Sequence, residues 1–177
     1  MLAARLLLIG NLVLWSTLSA SAVAEPSSPV HRSPEAALTT FLSDAWHVIG
    51  QLAVGVETMK IRTNRCAPPA PPQGERDDLF YIWIGLRGIA SESAAQTLIG
   101  LRADWNAQGW HETRFRHLDN GGVNVAATDP ETGNSYSFDS GFVADPDTYV
   151  VGYLATPCFQ SPDGPVVFGR MDSSAAQ

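Results

Sequence analysis

Hydrophobic residues follow three different spacings along this chain. From Leu6 to Leu18 they are nearly continuous, broken only by Gly10, Asn11, Ser16 and Thr17. From Leu38 to Val56, and again from Ala94 to Trp105, they recur every third or fourth position. From Trp110 onward they alternate. The second spacing is that of an amphipathic helix and the third that of a half-buried strand.

The first helix opens at Ser33-Pro34-Glu35, which supplies a capping hydroxyl, a proline in the first turn and an early acid. Its apolar stripe runs Leu38, Phe41, Leu42, Ala45, Ile49, Leu52, Ala53 and Val56, with Gly50 and Gly55 inside the same stretch. Met59 to Arg65 reads as a short strand or an extended exit. Residues 66–74, Cys-Ala-Pro-Pro-Ala-Pro-Pro-Gln-Gly, cannot enter a helix or the interior of a sheet, because each proline lacks an N–H and fixes φ. They predict a surface loop in polyproline conformation, a stiff spacer in preference to a docking segment. Asp78 to Leu86, with Phe80 to Ile84 in unbroken sequence, predicts a central strand with at least one face deeply covered. Ser93 and Gln96 form a capping-box pattern for a second helix striped by Ala94, Ala95, Leu98, Leu101, Arg102 and Trp105, and Gly109 stops it.

Beyond Gly109 the alternation predicts four strands. Thr113 and Phe115 share the inward face of the first, with Glu112, Arg114 and Arg116 on the outer face. Asp119-Asn120-Gly121-Gly122 turns the chain into Val123, Val125 and Ala127, and residues 129–134 turn it again into Tyr136 and Phe138, with Phe142 as a possible extension. Asp145-Pro146-Asp147 leads into a last strand begun by Tyr149, Val151 and Tyr153. Short turns require antiparallel neighbours, and the helices must bury their stripes. The expected fold is therefore α+β and two-layer, an antiparallel sheet with two helices packed on one face. It forms a single domain over residues 34–160. A mobile lead-in, 25–33, precedes it and a polar C-terminal tail, 161–177, follows.

Composition changes this picture mainly at the amino end. The chain has 177 residues, 45% of them hydrophobic, and a net charge of -7. Residues 1–24 hold a single charge, Arg5, then the apolar run and the small residues Ser19 to Ala24. Charge, apolar run and small-residue site are the parts of a secretory signal peptide, with cleavage expected after Ala24 or, alternatively, Ala22. The run of about 13 residues is short of the roughly 20 that span a bilayer. No other stretch is a candidate span, so no membrane span is expected after cleavage. Loss of Arg5 makes the remainder one unit more acidic, which argues against nucleic acid as a partner, since neutralised phosphates would supply that affinity.

The two cysteines, Cys66 and Cys158, both lie in the exported part. An even count in an oxidising compartment favours a disulfide, and two cysteines allow one intramolecular pairing. The alternative, a nucleophilic cysteine with a histidine base, is disfavoured by Pro157 and Phe159 on either side of Cys158.

Catalytic and metal motifs are not evident: there is no G-x-S-x-G, no H-E-x-x-H and no phosphate loop. His111 and His117 would share a strand face but lie roughly 20 Å apart, too far to ligate one metal. His31 and His47 lack partners for base chemistry. Asp119, Asp129, Glu131, Asp145 and Asp147 fall in turns, where aspartate bonds its own backbone, and match no calcium loop. Neither a metal nor another cofactor is expected. Of the tryptophans, Trp83 and Trp105 are expected in the core and Trp110 half exposed. Trp110, Arg114 and Arg116 are the candidate surface for a ligand or partner, although two arginines on a solvated strand commonly serve solubility.

The order of features, a signal peptide, Cys66-Ala-Pro, a strand near Trp83, a helix ending Leu101-x-x-x-Trp105-x-x-x-Gly109-Trp110, and a turn-rich sheet finishing Thr156-Pro157-Cys158-Phe159, resembles small exported or lipid-anchored proteins of actinobacteria over roughly residues 35–160. The resemblance implies a cell-envelope location and the Cys66–Cys158 disulfide, and supplies no catalytic residues. The chain departs from the lipid-anchored members in having no cysteine near the expected cleavage site. The expected function is a secreted or cell-envelope domain that binds an envelope protein or wall component without catalysis. The alternatives are an exported hydrolase whose site assembles only in three dimensions, and a small-molecule carrier with an aromatic-lined cleft.

Overall fold

A computed structural model describes residues 30–66, 78–142, 145–162 and 164–172. The expected signal peptide, its cleavage site and most of the proline-rich loop lie outside the described residues. Helix α1 spans Pro34–Gln51, with the Ser33 hydroxyl accepting from the Ala36 N–H at 3.2 Å. The stripe predicted to continue to Val56 stops earlier. Leu52 caps the helix and Ala53 takes a φ of 48°, which reverses the chain directly into β1, Val54–Arg65. Val56 matches helical spacing by coincidence; its β-branched side chain, like that of Val54, serves a strand. What was expected as a short strand from Met59 is thus 12 residues long.

Strand β2, Leu79–Ala90, pairs along its whole length with β1 and continues past the predicted end at Leu86. Helix α2 covers Ala94–Ala107; its Ser93 cap accepts from the Gln96 N–H and donates to Asp147 at 2.6 Å. Gly109, at φ 79°, terminates it as predicted. The four expected strands follow as β3 His111–His117, β4 Val123–Thr128, β5 Ser135–Asp139 and β6 Tyr149–Ala155. Phe142 does not extend β5; it is exposed on the following turn. A two-residue strand β7, Phe159–Gln160, pairs with β2, and β8, Val167–Asp172, pairs with β1.

The strands form an antiparallel sheet in the order β3-β4-β5-β6-β2-β1-β8, with β7 beside β2. Strand β6 therefore returns to the middle, and β2 is flanked on both sides, as its continuous apolar sequence required. Strand β8 corrects the expectation of a polar tail from residue 161. Its sequence, rich in exposed positions and broken by Gly169, is that of an edge strand, which gives little periodic signal. The lead-in is likewise pinned at its end: the Arg32 N–H donates to the Gln160 carbonyl and the Gln160 N–H to that of Val30.

One face of the sheet carries the core. Met59, Ile61, Phe80, Ile82, Ile84, Leu86, Val125, Tyr136, Phe138 and Leu154 are all buried there. Phe41 of α1 lies 6.4 Å from Tyr136, and Trp105 of α2 lies 6.3 Å from the same ring and 6.1 Å from Phe138. Burial raises the Tyr136 phenol well above the usual tyrosine range, so it stays protonated.

Cys66, at the end of β1, is bonded to Cys158, between β6 and β7, with the Cα atoms 6.3 Å apart. Backbone pairing converges on the same place: the Cys66 N–H donates to Leu79 and the Thr156 N–H to Ile82. The crosslink ties the first strand to the segment that follows the sixth.

Candidate binding surface

Antiparallel register sorts every strand residue to one of two faces. In β1 the sequence Met59-Lys60-Ile61-Arg62-Thr63 sends Met59, Ile61 and Thr63 to the core and leaves Lys60 and Arg62 exposed on the opposite, open face. Opposite Arg62 in the register stands Trp83, and opposite Lys60 stands Gly85. Trp83 therefore belongs to the open face, not to the core as its apolar neighbours suggested.

Gly85 is what lets Trp83 lie down. A Cβ at position 85 would come within 2.2 Å of the indole ring, so the ring occupies the space a side chain would fill. Tyr153, opposite Gly85 on β6, completes an aromatic pair with Trp83, the rings 5.9 Å apart. The Arg62 guanidinium sits 4.6 Å from the Trp83 ring centre. Further along, Arg87 lies 4.0 Å from the Tyr149 ring and 3.3 Å from the Glu57 carboxylate. Tyr153 is 46% exposed, and Arg62 and Arg87 are exposed as well. A sheet face turned to water ordinarily alternates to small polar residues. Here its central strands carry aromatic rings overlaid by guanidinium groups.

The predicted surface does not assemble as one patch. Trp110 is half-buried on the core side, stacked on Trp105 at 4.9 Å and tilted against Tyr136 at 5.4 Å. Arg114 and Arg116 project from the open face at the β3 edge. Arg114 donates to Asn124, a buried amide that also donates to the Phe138 carbonyl and to Asp139, so its role there is structural. Arg116 is exposed, paired in register with Asn124.

A bulge between Glu112 and Arg114 explains two further corrections. The extra residue, Thr113, shifts the alternation, so Glu112 and Phe115 fall on the same side rather than opposite ones. Both then meet Arg102 of α2: Glu112 at 2.6 Å, Phe115 with its ring centre 3.8 Å from the guanidinium. The hydrogen bond from Arg102 holds the Glu112 carboxyl below its ordinary range. The same shift puts His111 and His117 on opposite faces instead of a shared one.

The turn aspartates are engaged locally. Asp129 accepts from the Thr132 hydroxyl and the Glu131 N–H, and Asp145 from the Thr148 hydroxyl and the Asp147 N–H. These bonds hold the Asp145 carboxyl low. Among the described residues no three histidine, cysteine or acidic side chains gather as metal ligands would.

A separate cleft of about 320 Å³ opens between the start of α1, the β4–β5 turn and the segment around Cys158. Arg32, Asp44 and Glu131 bring charge to it, and Asp44 accepts from Asn134 at 3.1 Å.

The open face escaped the sequence reading because Trp83 sits in an unbroken apolar run. The usable signals were the alternation of Lys60 and Arg62 with buried residues and a glycine two positions from a tryptophan. No family model, curated protein or solved structure matches this chain.

Proposed function

We propose that this is an exported cell-envelope protein that binds a wall component or envelope protein through the open face of its sheet. Export is supported by the amino-terminal pattern of Arg5, the Leu6–Leu18 run and Ala22-Val23-Ala24, and a disulfide suits an oxidising compartment. No helix of the described residues is long and apolar enough to cross a membrane. Both helices cover the same face, a reading that rests on their shared contact with Tyr136. The other face is thereby left to a partner.

The observation that carries the binding reading is Trp83 laid across Gly85 beside the exposed Tyr153, with Arg62 over its ring. Aromatic and arginine side chains are those enriched where proteins bind tightly, because rings bury much surface while losing little freedom and the guanidinium offers a planar fork of donors. A hydrolase or carrier would use the cleft near Cys158, whose about 320 Å³ is at the small end for ligand sites.

The test is to recover the exported protein and measure its retention on isolated cell-wall polymer and on envelope protein fractions. Retention on either that falls on Trp83→Ala but not on Thr40→Ala, which alters the cleft, supports the open face. Retention abolished by Thr40→Ala and untouched by Trp83→Ala would move the site to the cleft.

A further inference from the structure

The charge of the open face differs in sign from that of the molecule. The chain carries -7 overall, yet six of its eleven lysines and arginines stand at register positions on this face: Lys60, Arg62, Arg87, Arg114, Arg116 and Arg170. Among the described strand residues, Glu57 and Asp139 bring acids to it, and Asp172 stands at a register position on the same face. Most acids of the described residues stand in helices and turns instead, and a basic face on an acidic protein is complementary to an anionic partner.

The cations are also placed. Arg62 rests on Trp83 and Arg87 on Tyr149. A guanidinium supported by a ring presents its N–H donors at its edge, where the planar fork matches a carboxylate; the Nε side of Arg87 already meets Glu57, which leaves the rest of its fork for a partner. Trp83 and Arg87 are four residues apart on β2, about 13 Å along the strand, and Lys60 stands between them opposite Gly85. This spacing suits a repeating polymer better than a single small anion. Beside this strip the next strand offers neutral hydroxyls: Ser137 opposite Tyr153, and Ser135, which donates to the Ala155 carbonyl and has its oxygen left to accept.

Resting on the open face as the binding surface, we infer that its partner is an acidic polysaccharide, a chain of sugar rings that bear carboxylates. The carboxylates pair with Arg62, Lys60 and Arg87; apolar faces of the sugars lie on Tyr153 and the Trp83 edge; hydroxyls meet the serines of β5. An anionic bilayer fits less well, because Trp83 lies flat in the sheet surface and has nothing to insert. Stacked nucleic-acid bases fit less well too, because the Trp83 ring already carries Arg62.

The test is calorimetric titration of the full exported protein with polygalacturonate, its fully methyl-esterified form, polyglutamate and oligodeoxythymidylate. Binding to polygalacturonate is expected, with no heat from the neutral ester. Arg62→Gln and Arg87→Gln should each weaken it about tenfold, as loss of a charge-assisted bond does, while Arg32→Gln leaves it unchanged. Far-ultraviolet circular dichroism of each variant confirms that it is folded. Equal binding to the methyl ester, or tighter binding to polyglutamate or oligodeoxythymidylate, would overturn the polysaccharide and leave the surface standing. Silence toward all four, with Trp83-dependent retention on wall polymer intact, overturns the acidic sugar alone. Silence toward all four with no retention on any envelope fraction overturns the surface as well.

Discussion

Removing the Cys66–Cys158 bond should cost this domain a large share of its stability while leaving its fold in place. The bond joins positions 92 residues apart. In the chain-entropy description, closing a loop of that length removes about 4–5 kcal/mol of unfolded-state freedom at 25 °C. The native state adds little to that figure, because the sheet holds both ends independently. Cys66 is hydrogen-bonded to Leu79 at the start of β2, and Thr156 and Ser161, on either side of Cys158, bond to Ile82 and Asp78 of the same segment. The variant Cys66→Ala/Cys158→Ala should therefore keep its far-ultraviolet circular dichroism and lose about 10–20 °C of Tm, at about 2–4 °C per kcal/mol for a domain of this size. In urea its midpoint should fall, and its slope should rise, since an uncrosslinked unfolded chain exposes more surface. A loss below about 1 kcal/mol would refute the entropic reasoning. Two free thiols by mass spectrometry of the exported protein would refute the bond itself.

Other substitutions test other parts of the structure. Ala53, at φ 48°, is a non-glycine residue in the left-handed region, so Ala53→Gly should raise the urea midpoint by up to about 1 kcal/mol of stability, relief of strain exceeding the added chain entropy. Gly85→Ala should displace the indole of Trp83, changing the near-ultraviolet circular dichroism without changing the far-ultraviolet spectrum; an unchanged near-ultraviolet signal would show that the ring does not lie there. The Trp105 indole N–H is buried with no hydrogen-bond partner among the described residues, so Trp105→Phe should cost far less in thermal melts than Trp105→Ala, for which about 3–5 kcal/mol is expected. Glu112 has its pKa lowered by Arg102 in the folded protein, so the pair stabilises above the ordinary carboxylate range and loses its effect as pH falls through the lowered value; urea curves of Glu112→Gln and the parent should differ by at most about 1 kcal/mol at pH 7 and converge as the pH falls well below 4.

The helices and hairpins were legible in the sequence because their signals are local. Ser33, Ser93 and Gly109 act within one turn of themselves, and Gly121 and Gly133, at φ 85° and 72°, set their turns alone. The features that escaped depend on a neighbouring strand. Nothing near Thr113 announces a bulge; it exists only against β4, and it alone decides that Glu112 meets Arg102. Among the described side chains of β8 Phe168 alone packs against the core, which is too little for a periodic stripe, and the strand is specified by the free edge of β1. Trp83 reads as core because the Phe80–Ile84 run of β2 is apolar on both faces, and only the side on which the rest of the core gathers decides which of those faces water reaches.

That last dependence bears on how charge is used to infer function. A net charge of -7 argues against nucleic acid, yet the average combines surfaces that a ligand meets separately. At physiological salt the Debye length is about 8 Å. Solvent-exposed acids in the helices and turns that lie farther than this from Arg62 and Lys60 are largely screened from a ligand resting there, which feels mainly the strip it touches. Long-range approach follows the sign of the whole molecule, and contact follows the sign of the face. The acidity of the chain therefore bears on how fast an anionic partner arrives. It does not decide whether such a partner binds once it reaches the Trp83–Tyr153 surface, because the guanidiniums there are held by rings at 4.6 and 4.0 Å regardless of the charge behind them.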